Sequence, residues 1–254
     1  MFVSPKKSLG QHFLIDKNIA AKIVSSLPAD PPLVLEIGPG TGVLTGILIN
    51  DLEKECLFIE TDSESVEYLN EKFPGIESKL VHDNFLKVDL KGLLHDNYQI
   101  IGNLPYNISS QIFFRMLEDK DRMLSAVVMI QKEVAERIKA DHGNKTYGIL
   151  SVLLQTWYDI EYLFTVSENV FNPPPRVKSA VIRLRRNNIM DIGCDVQHYH
   201  HVVKTGFNQR RKTLRNSLKA IISGKDTSAI KDLLDKRAEQ LSVKDFIELA
   251  NQIA

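Results

Sequence analysis

Four consecutive residues, Asn103-Leu104-Pro105-Tyr106, combine two hydrogen-bond acceptors, a stiff turn and an aromatic ring. The Asn103 side-chain oxygen and the Leu104 carbonyl can take the two hydrogens of a planar exocyclic amine, such as N6 of an adenine, and draw its nitrogen towards tetrahedral geometry. Pro105 stiffens the turn so that both acceptors converge. Tyr106 offers a face for an unstacked base. The lone pair of such an amine is delocalised into its ring, so this hold is what would make it nucleophilic towards a methyl donor. No strong base is required, because the proton becomes acidic once the methyl has arrived. Proximity and preorganised electrostatics would set the rate.

A second constellation lies upstream. The apolar run Leu33–Ile37 ends in Gly38-Pro39-Gly40-Thr41-Gly42; Glu36 stands just before this loop and Glu60 ends the next apolar run. Glycines let a backbone turn tightly and approach a ligand. A dinucleotide fingerprint needs a third glycine at position 43, where this chain has Val43. The pattern is instead E-x-G-x-G-x-G, which resembles motif I of class I S-adenosylmethionine methyltransferases. That cofactor carries an ammonium and a sulfonium and no pyrophosphate, so acidic surroundings suit it. Glu60 is placed to accept from both ribose hydroxyls, Asp83 from the adenine amino group, and the Asn84 N–H is free for a ring nitrogen. Asn103 to Tyr106, in turn, resembles the [DN]-x-P-Y signature of amino methyltransferases.

These residues need a scaffold that gathers loop ends. Residues 17–27 have helical spacing, and Pro28 to Pro32 then break the chain. After the strand Leu33–Ile37, Val43 to Leu52 has helical character. Leu57 to Glu60 reads as a strand, and Thr61 with Glu64 suggests a capping box for the next helix. Further strands are expected near Lys79–His82, Gln99–Gly102, Ala126–Ile130, Ile160–Val166 and Ala180–Leu184, with an apolar helix over Gly148–Tyr158. The alternation predicts an α/β, Rossmann-like, doubly wound and mostly parallel sheet over residues 1–187, followed by a small all-helical domain over 188–254.

Composition excludes other classes. No apolar run is long enough to span a membrane, and no signal sequence precedes the first element, so a cytoplasmic protein without a membrane partner is expected. Cys56 and Cys194 are too few for a disulfide framework, and His198, His200 and His201 have no further ligand at convincing spacing, so no metal is expected. The zero net charge hides a segregation. Residues 30–100 hold fourteen acids and five bases, whereas 169–225 hold twelve bases and two acids. One end is suited to a polyanion.

Within the basic half, Phe171-Asn172-Pro173-Pro174-Pro175-Arg176-Val177-Lys178 places an aromatic before a triple proline and two bases. Phe171 is a candidate to close on the face of the adenine opposite Tyr106. Residues 207–218 bring Arg210, Arg211, Lys212 and Arg215 together, with Arg211 and Arg215 at i, i+4 beside an apolar side formed by Phe207, Leu214 and Leu218. A basic amphipathic helix suits RNA phosphates.

Ser8 to Leu14, Glu36 to Gly42, Gly102 to Asn107, Gln131-Lys132-Glu133, Tyr147-Gly148, Phe171 to Ser179 and Phe207 to Leu218 together resemble, in order and over nearly the whole chain, the KsgA family of small-subunit ribosomal RNA adenine dimethyltransferases. The resemblance implies dimethylation of two adjacent adenosines in the 3′-terminal hairpin of 16S rRNA, with S-adenosylmethionine as donor, late in small-subunit biogenesis on immature subunits; nothing in the sequence suggests an obligate dimer, and a monomer is expected. It also implies cofactor contacts from His12, Leu14, Gly38, Gly40, Glu60, Asp83 and Asn103. The commonest family form has asparagine where this chain has His12. Two alternatives are an Erm-type enzyme acting on 23S rRNA and a non-catalytic assembly factor retaining the fold. The intact glycine loop, Glu60 and Asn103 to Tyr106 argue against lost catalysis, and the Asn208 to Ser217 segment resembles the ribosome-assembly branch.

Overall fold

The structure, a computed structural model, describes residues 3–50 and 55–254. Among these, the strands are β1 (Phe13–Leu14), β2 (Leu33–Ile37), β3 (Glu55–Glu60), β4 (Leu80–His82), β5 (Tyr98–Asn103), β6 (Met123–Gln131), β7 (Tyr158–Val166), β8 (Phe171–Asn172) and β9 (Ser179–Arg186). Seven of them form one sheet in the order β4-β3-β2-β5-β6-β9-β7, and β1 pairs with β8. The pairs β3–β4, β2–β3, β2–β5 and β5–β6 are parallel, and β6–β9 is antiparallel. This is the doubly wound sheet that the alternation predicts. Its central strands are largely apolar because both faces are covered: Val34, Leu35, Phe58, Ile100, Ile101, Val127 and Val128 are all fully buried.

The chain runs from β2 outward to β3 and β4, then returns to the other side of β2 to form β5 and β6. Connections therefore leave β2 and β5 in opposite directions, and a crevice opens at their carboxyl ends. Gly102 keeps the two strands close there. A Cβ on it would lie 2.7 Å from the Ile37 carbonyl oxygen, which is backbone and cannot swing away. Gly102→Ala is expected to cost about 2–3 kcal/mol, read as a lowered denaturant midpoint at unchanged m-value.

Two local expectations need correction. The helix expected from Val43 shortens to Thr45–Leu48 among the described residues, its first turn being absorbed by the glycine loop; residues 51 and 52 lie outside them. The capping box from Thr61 and Glu64 does not form. The helix Ser63–Lys72 starts from Asp62, whose carboxylate caps no backbone N–H because Lys6, Gln11 and Ser65 occupy it.

The chain separates into two compact units, Met1–Ala135 with Glu161–Arg186, and Glu136–Ile160 with Asn187–Ala254. The sequence placed residues 136–160 wholly with the sheet. Within the second unit, however, the helix Ile149–Trp157 packs against the helices Val196–Asn208 and Val243–Gln252, and the Thr156 and Tyr199 hydroxyls bond at 2.8 Å. An almost entirely apolar helix signals burial but not which layer receives it. Among the described residues, no helix is long and apolar enough to cross a membrane.

Candidate active site

The glycine loop is fixed from beneath by β3. Gly38 N–H donates to the Ile59 carbonyl (2.9 Å), and Glu60 accepts from Gly40 N–H (2.9 Å) through one oxygen and from Thr61 and Asp62 N–H (2.8 and 2.9 Å) through the other. Burial pushes the Glu60 carboxyl up, and these three donors pull it back. Gly40 has φ +57°, and a Cβ there would come within 2.9 Å of the Phe13 ring. Lys72 completes the support by donating to the Thr41 carbonyl at 2.8 Å. Glu36, 2 % exposed, accepts from the Thr45 hydroxyl at 2.8 Å. Burial pushes its carboxyl up to about 8; Thr45 opposes this and Glu60 adds to it.

The segment from Lys6 to Leu14 lies along the same cavity, which Ser8, Leu9, Gly10, Gln11 and Phe13 help to line. It is held by Asp62, buried at the end of the loop after β3, which binds the Lys6 ammonium and the Gln11 amide. Burial raises the Asp62 carboxyl, but Lys6 and Gln11 outweigh that and leave it below the usual carboxylate range. Asp62 and Gln11 carried no functional reading in the sequence, since neither the clasp nor its partners lie near each other in the chain. Asp62→Ala should free the segment and weaken binding of S-adenosylhomocysteine by roughly threefold to tenfold in calorimetry, with little change in melting temperature.

Across the crevice, Asn103 ends β5. Its amide nitrogen donates to the His12 carbonyl at 2.8 Å, which turns the side-chain oxygen away as a remaining acceptor. Leu104 N–H bonds the Met129 carbonyl (3.0 Å), anchoring the turn to β6. Tyr106 is held at its hydroxyl by Ser179 (2.5 Å), and burial pushes that phenol up. One cavity gathers His12, Gly38, Gly40, Glu60, Asp83, Asn103, Leu104, Pro105 and Tyr106; Leu14 and Glu36 line a smaller one that adjoins it. Among the described lining residues there is no Lys or Arg. Acids without bases suit a cationic ligand rather than a phosphate.

Two placements differ from those expected. Asn84 N–H is not free, because it donates to the Asp83 carboxylate at 2.6 Å. Phe171 does not line the cavity. It pairs with Leu14 across the β1–β8 ladder, which buries its ring in the core at 3 % exposure. The ring that faces Tyr106 belongs to His12, with centroids 5.5 Å apart and planes inclined by 27°.

Over residues 3–254 the chain matches the family described as ribosomal RNA adenine dimethylase. It belongs to that family. A relative from Bacteroides thetaiotaomicron, ribosomal RNA small subunit methyltransferase A, is 56% identical over 99% of this chain and 94% of its own length. A relative of the same name from Flavobacterium johnsoniae is 52% identical over 99% and 96%. Among solved structures, a dimethyladenosine transferase from Plasmodium falciparum (23% identity, TM-score 0.76, covering 94% and 96%) shares the fold. The 23S rRNA methyltransferase ErmE (26% identity, TM-score 0.67) covers 94% of this chain and 100% of its own.

In this dimethylase-family chain the basic segment does not form one helix. The helix Val196–Asn208 ends, residues 209–213 turn, and a new helix runs over Leu214–Ser217. Arg211 and Arg215 therefore do not share a helix face. The Thr213–Arg237 bridge and the bond from Leu214 N–H to the Lys236 carbonyl enforce the break. Arg210 binds the carbonyls of Lys145 and Tyr147 and lies 3.5 Å from Glu239, and Arg215 is paired with Asp235. Arg211 and Lys212 are exposed, as are Arg176 and Lys178 in the first unit. The latter two sit in the loop between β8 and β9.

Proposed function

We propose that this chain transfers methyl groups from S-adenosylmethionine to N6 of two adjacent adenosines in the 3′-terminal hairpin of 16S rRNA, dimethylating each late in small-subunit biogenesis. The observation that carries the reading is the orientation of Asn103: with its N–H groups turned to His12, its oxygen is the acceptor left beside the Leu104 carbonyl, in the same cavity as Gly38 and Glu60. The buried, cation-free Glu36 and the acid-lined cavity fit a donor bearing positive charge. When bound, that cofactor supplies an electrophilic methyl carbon, which the amine nitrogen takes as the carbon–sulfur bond breaks and its electron pair stays with sulfur. The chain's own share is positioning. Glu60 and Asp83 orient the donor, the Asn103 oxygen and the Leu104 carbonyl hold the N6 hydrogens, and Tyr106 bears the base. The N6 proton leaves to solvent after transfer.

On the same reading, Arg176, Lys178, Arg211 and Lys212 meet RNA phosphates, whereas Arg210 and Arg215 shape the surface that presents Arg211 and Lys212. The first unit carries the chemistry and the second, which includes residues 136–160, binds the ribosomal substrate; the protein acts as a cytoplasmic monomer on immature subunits. Relatives 50–56% identical over nearly the full chain bear the small-subunit name, which supports 16S over 23S rRNA. Incubating the protein with labelled cofactor and immature small subunits, then digesting the RNA for mass spectrometry, tests this. N6,N6-dimethyladenosine in 16S rRNA is expected; its absence, or its appearance in 23S rRNA alone, overturns the assignment.

A further inference from the structure

We infer that the His12 side chain is a positioning residue of the base slot, acting through Tyr106 and the proline loop, and not a ligand of the cofactor. The inference rests on the functional reading above. His12 lies in β1's approach, one residue before Phe13, where a cofactor contact is implied by family resemblance. Three contacts assign its parts otherwise. Its carbonyl accepts from the Asn103 amide (2.8 Å), its ring stacks on Tyr106, and its Nδ1 meets the Pro173 carbonyl at 2.8 Å. A carbonyl can only accept, so Nδ1 carries the hydrogen and the imidazole is fixed in that tautomer or as the cation.

His12 thereby ties together three segments that are far apart in sequence: the N-terminal strap, the turn after β5, and the loop after β8. Tyr106 is held at its hydroxyl by Ser179 but could still rock about that bond; a ring stacked on its face removes this freedom. Offset aromatic pairs at such a separation are favourable beyond the area they bury. Phe171 cannot do this, since its ring is in the core. Phe13 and Leu14, which follow His12, are buried and set the strap's register against β8, so the imidazole is aimed by the fold. A platform prepositioned in this way lowers the cost of seating the base in line with the methyl donor, and small misplacements there are expensive in rate.

The test compares wild type, His12→Ala, His12→Phe and Tyr106→Ala, with the double variant His12→Ala/Tyr106→Ala. Binding of S-adenosylhomocysteine is measured by calorimetry, and kcat and KM on immature small subunits at saturating cofactor. His12→Ala is expected to bind the cofactor product within about twofold of wild type while kcat/KM falls roughly tenfold to a hundredfold. His12→Phe, which keeps a ring, should recover part of that loss. The double variant should lose no more than Tyr106→Ala, because the two residues act as one device. Parallel loss of cofactor affinity and turnover in His12→Ala, or additive losses in the double variant, overturns the inference. His12→Gln, which keeps a side-chain donor without a ring, keeps the comparison available if the alanine variant misfolds: it should bind cofactor normally and lose turnover. Wild-type protein that methylates no ribosomal RNA overturns the functional reading itself.

Discussion

Asn103→Ala should lose about 10²–10³-fold in turnover, the range seen when one preorganised polar group is removed from a reacting centre, while S-adenosylhomocysteine affinity stays within about threefold of wild type. The asymmetry follows from where its atoms go. The Asn103 amide nitrogen is engaged by the His12 carbonyl, so the oxygen has one direction left, into the cavity beside the Leu104 carbonyl. Removing it takes one of two acceptors from the amine at the moment its nitrogen rehybridises. The contacts proposed for the donor, at Gly38, Gly40, Glu60 and Asp83, stay in place. Asn103→Asp discriminates further, since it restores an acceptor but sets a carboxylate against the His12 carbonyl. It should fall between wild type and the alanine variant in single-turnover methyl transfer. Equal losses in cofactor affinity and turnover for Asn103→Ala would instead make this residue a cofactor ligand alone.

The parts of the site that were legible in the sequence are those made of contiguous residues. Glu36 to Gly42 and Asn103 to Tyr106 each lie at the carboxyl end of a buried, largely apolar strand, and a parallel sheet brings such strand ends to one edge whatever the remaining chain does. What escaped was assembled across distance. β1 and β8 contain two residues each, too few for any period to show, yet their pairing sends Phe171 into the core and leaves His12 against Tyr106. Asp62 went unread because its partners Lys6 and Gln11 are more than fifty positions away. The basic stretch at 207–218 has helical spacing, but a bridge from Thr213 to Arg237 ends one helix and starts another. Tertiary hydrogen bonds outweighed local pattern in each case.

Glu36 provides the second large effect, through pH. A buried carboxyl beside a second acid, with only a hydroxyl to favour its ionised form, is held at about 8 instead of the ordinary 4.5. The folded protein then holds a proton that the unfolded chain releases between those values. Stability in the absence of cofactor should therefore fall as pH rises from about 4.5 to 8 and level off above, since the unfolded state binds fewer protons throughout that window. At about 1.4 kcal/mol per unit, this one group accounts for roughly 5 kcal/mol at most. Glu36→Gln should abolish that part of the slope, leaving the variant more stable than wild type above pH 8 and closest to it near pH 5, as read from urea midpoints across the range. A cationic donor reverses the balance by favouring the ionised carboxylate. Wild-type affinity for S-adenosylmethionine should then tighten with pH up to about 8, by at most tenfold per unit, with proton release visible as a dependence of the calorimetric enthalpy on buffer. In Glu36→Gln, whose ligand titrates identically, that dependence should disappear and binding should weaken. If instead the variant binds as tightly as wild type at pH 8, Glu36 serves the packing of the glycine loop and the donor's positive charge is met elsewhere.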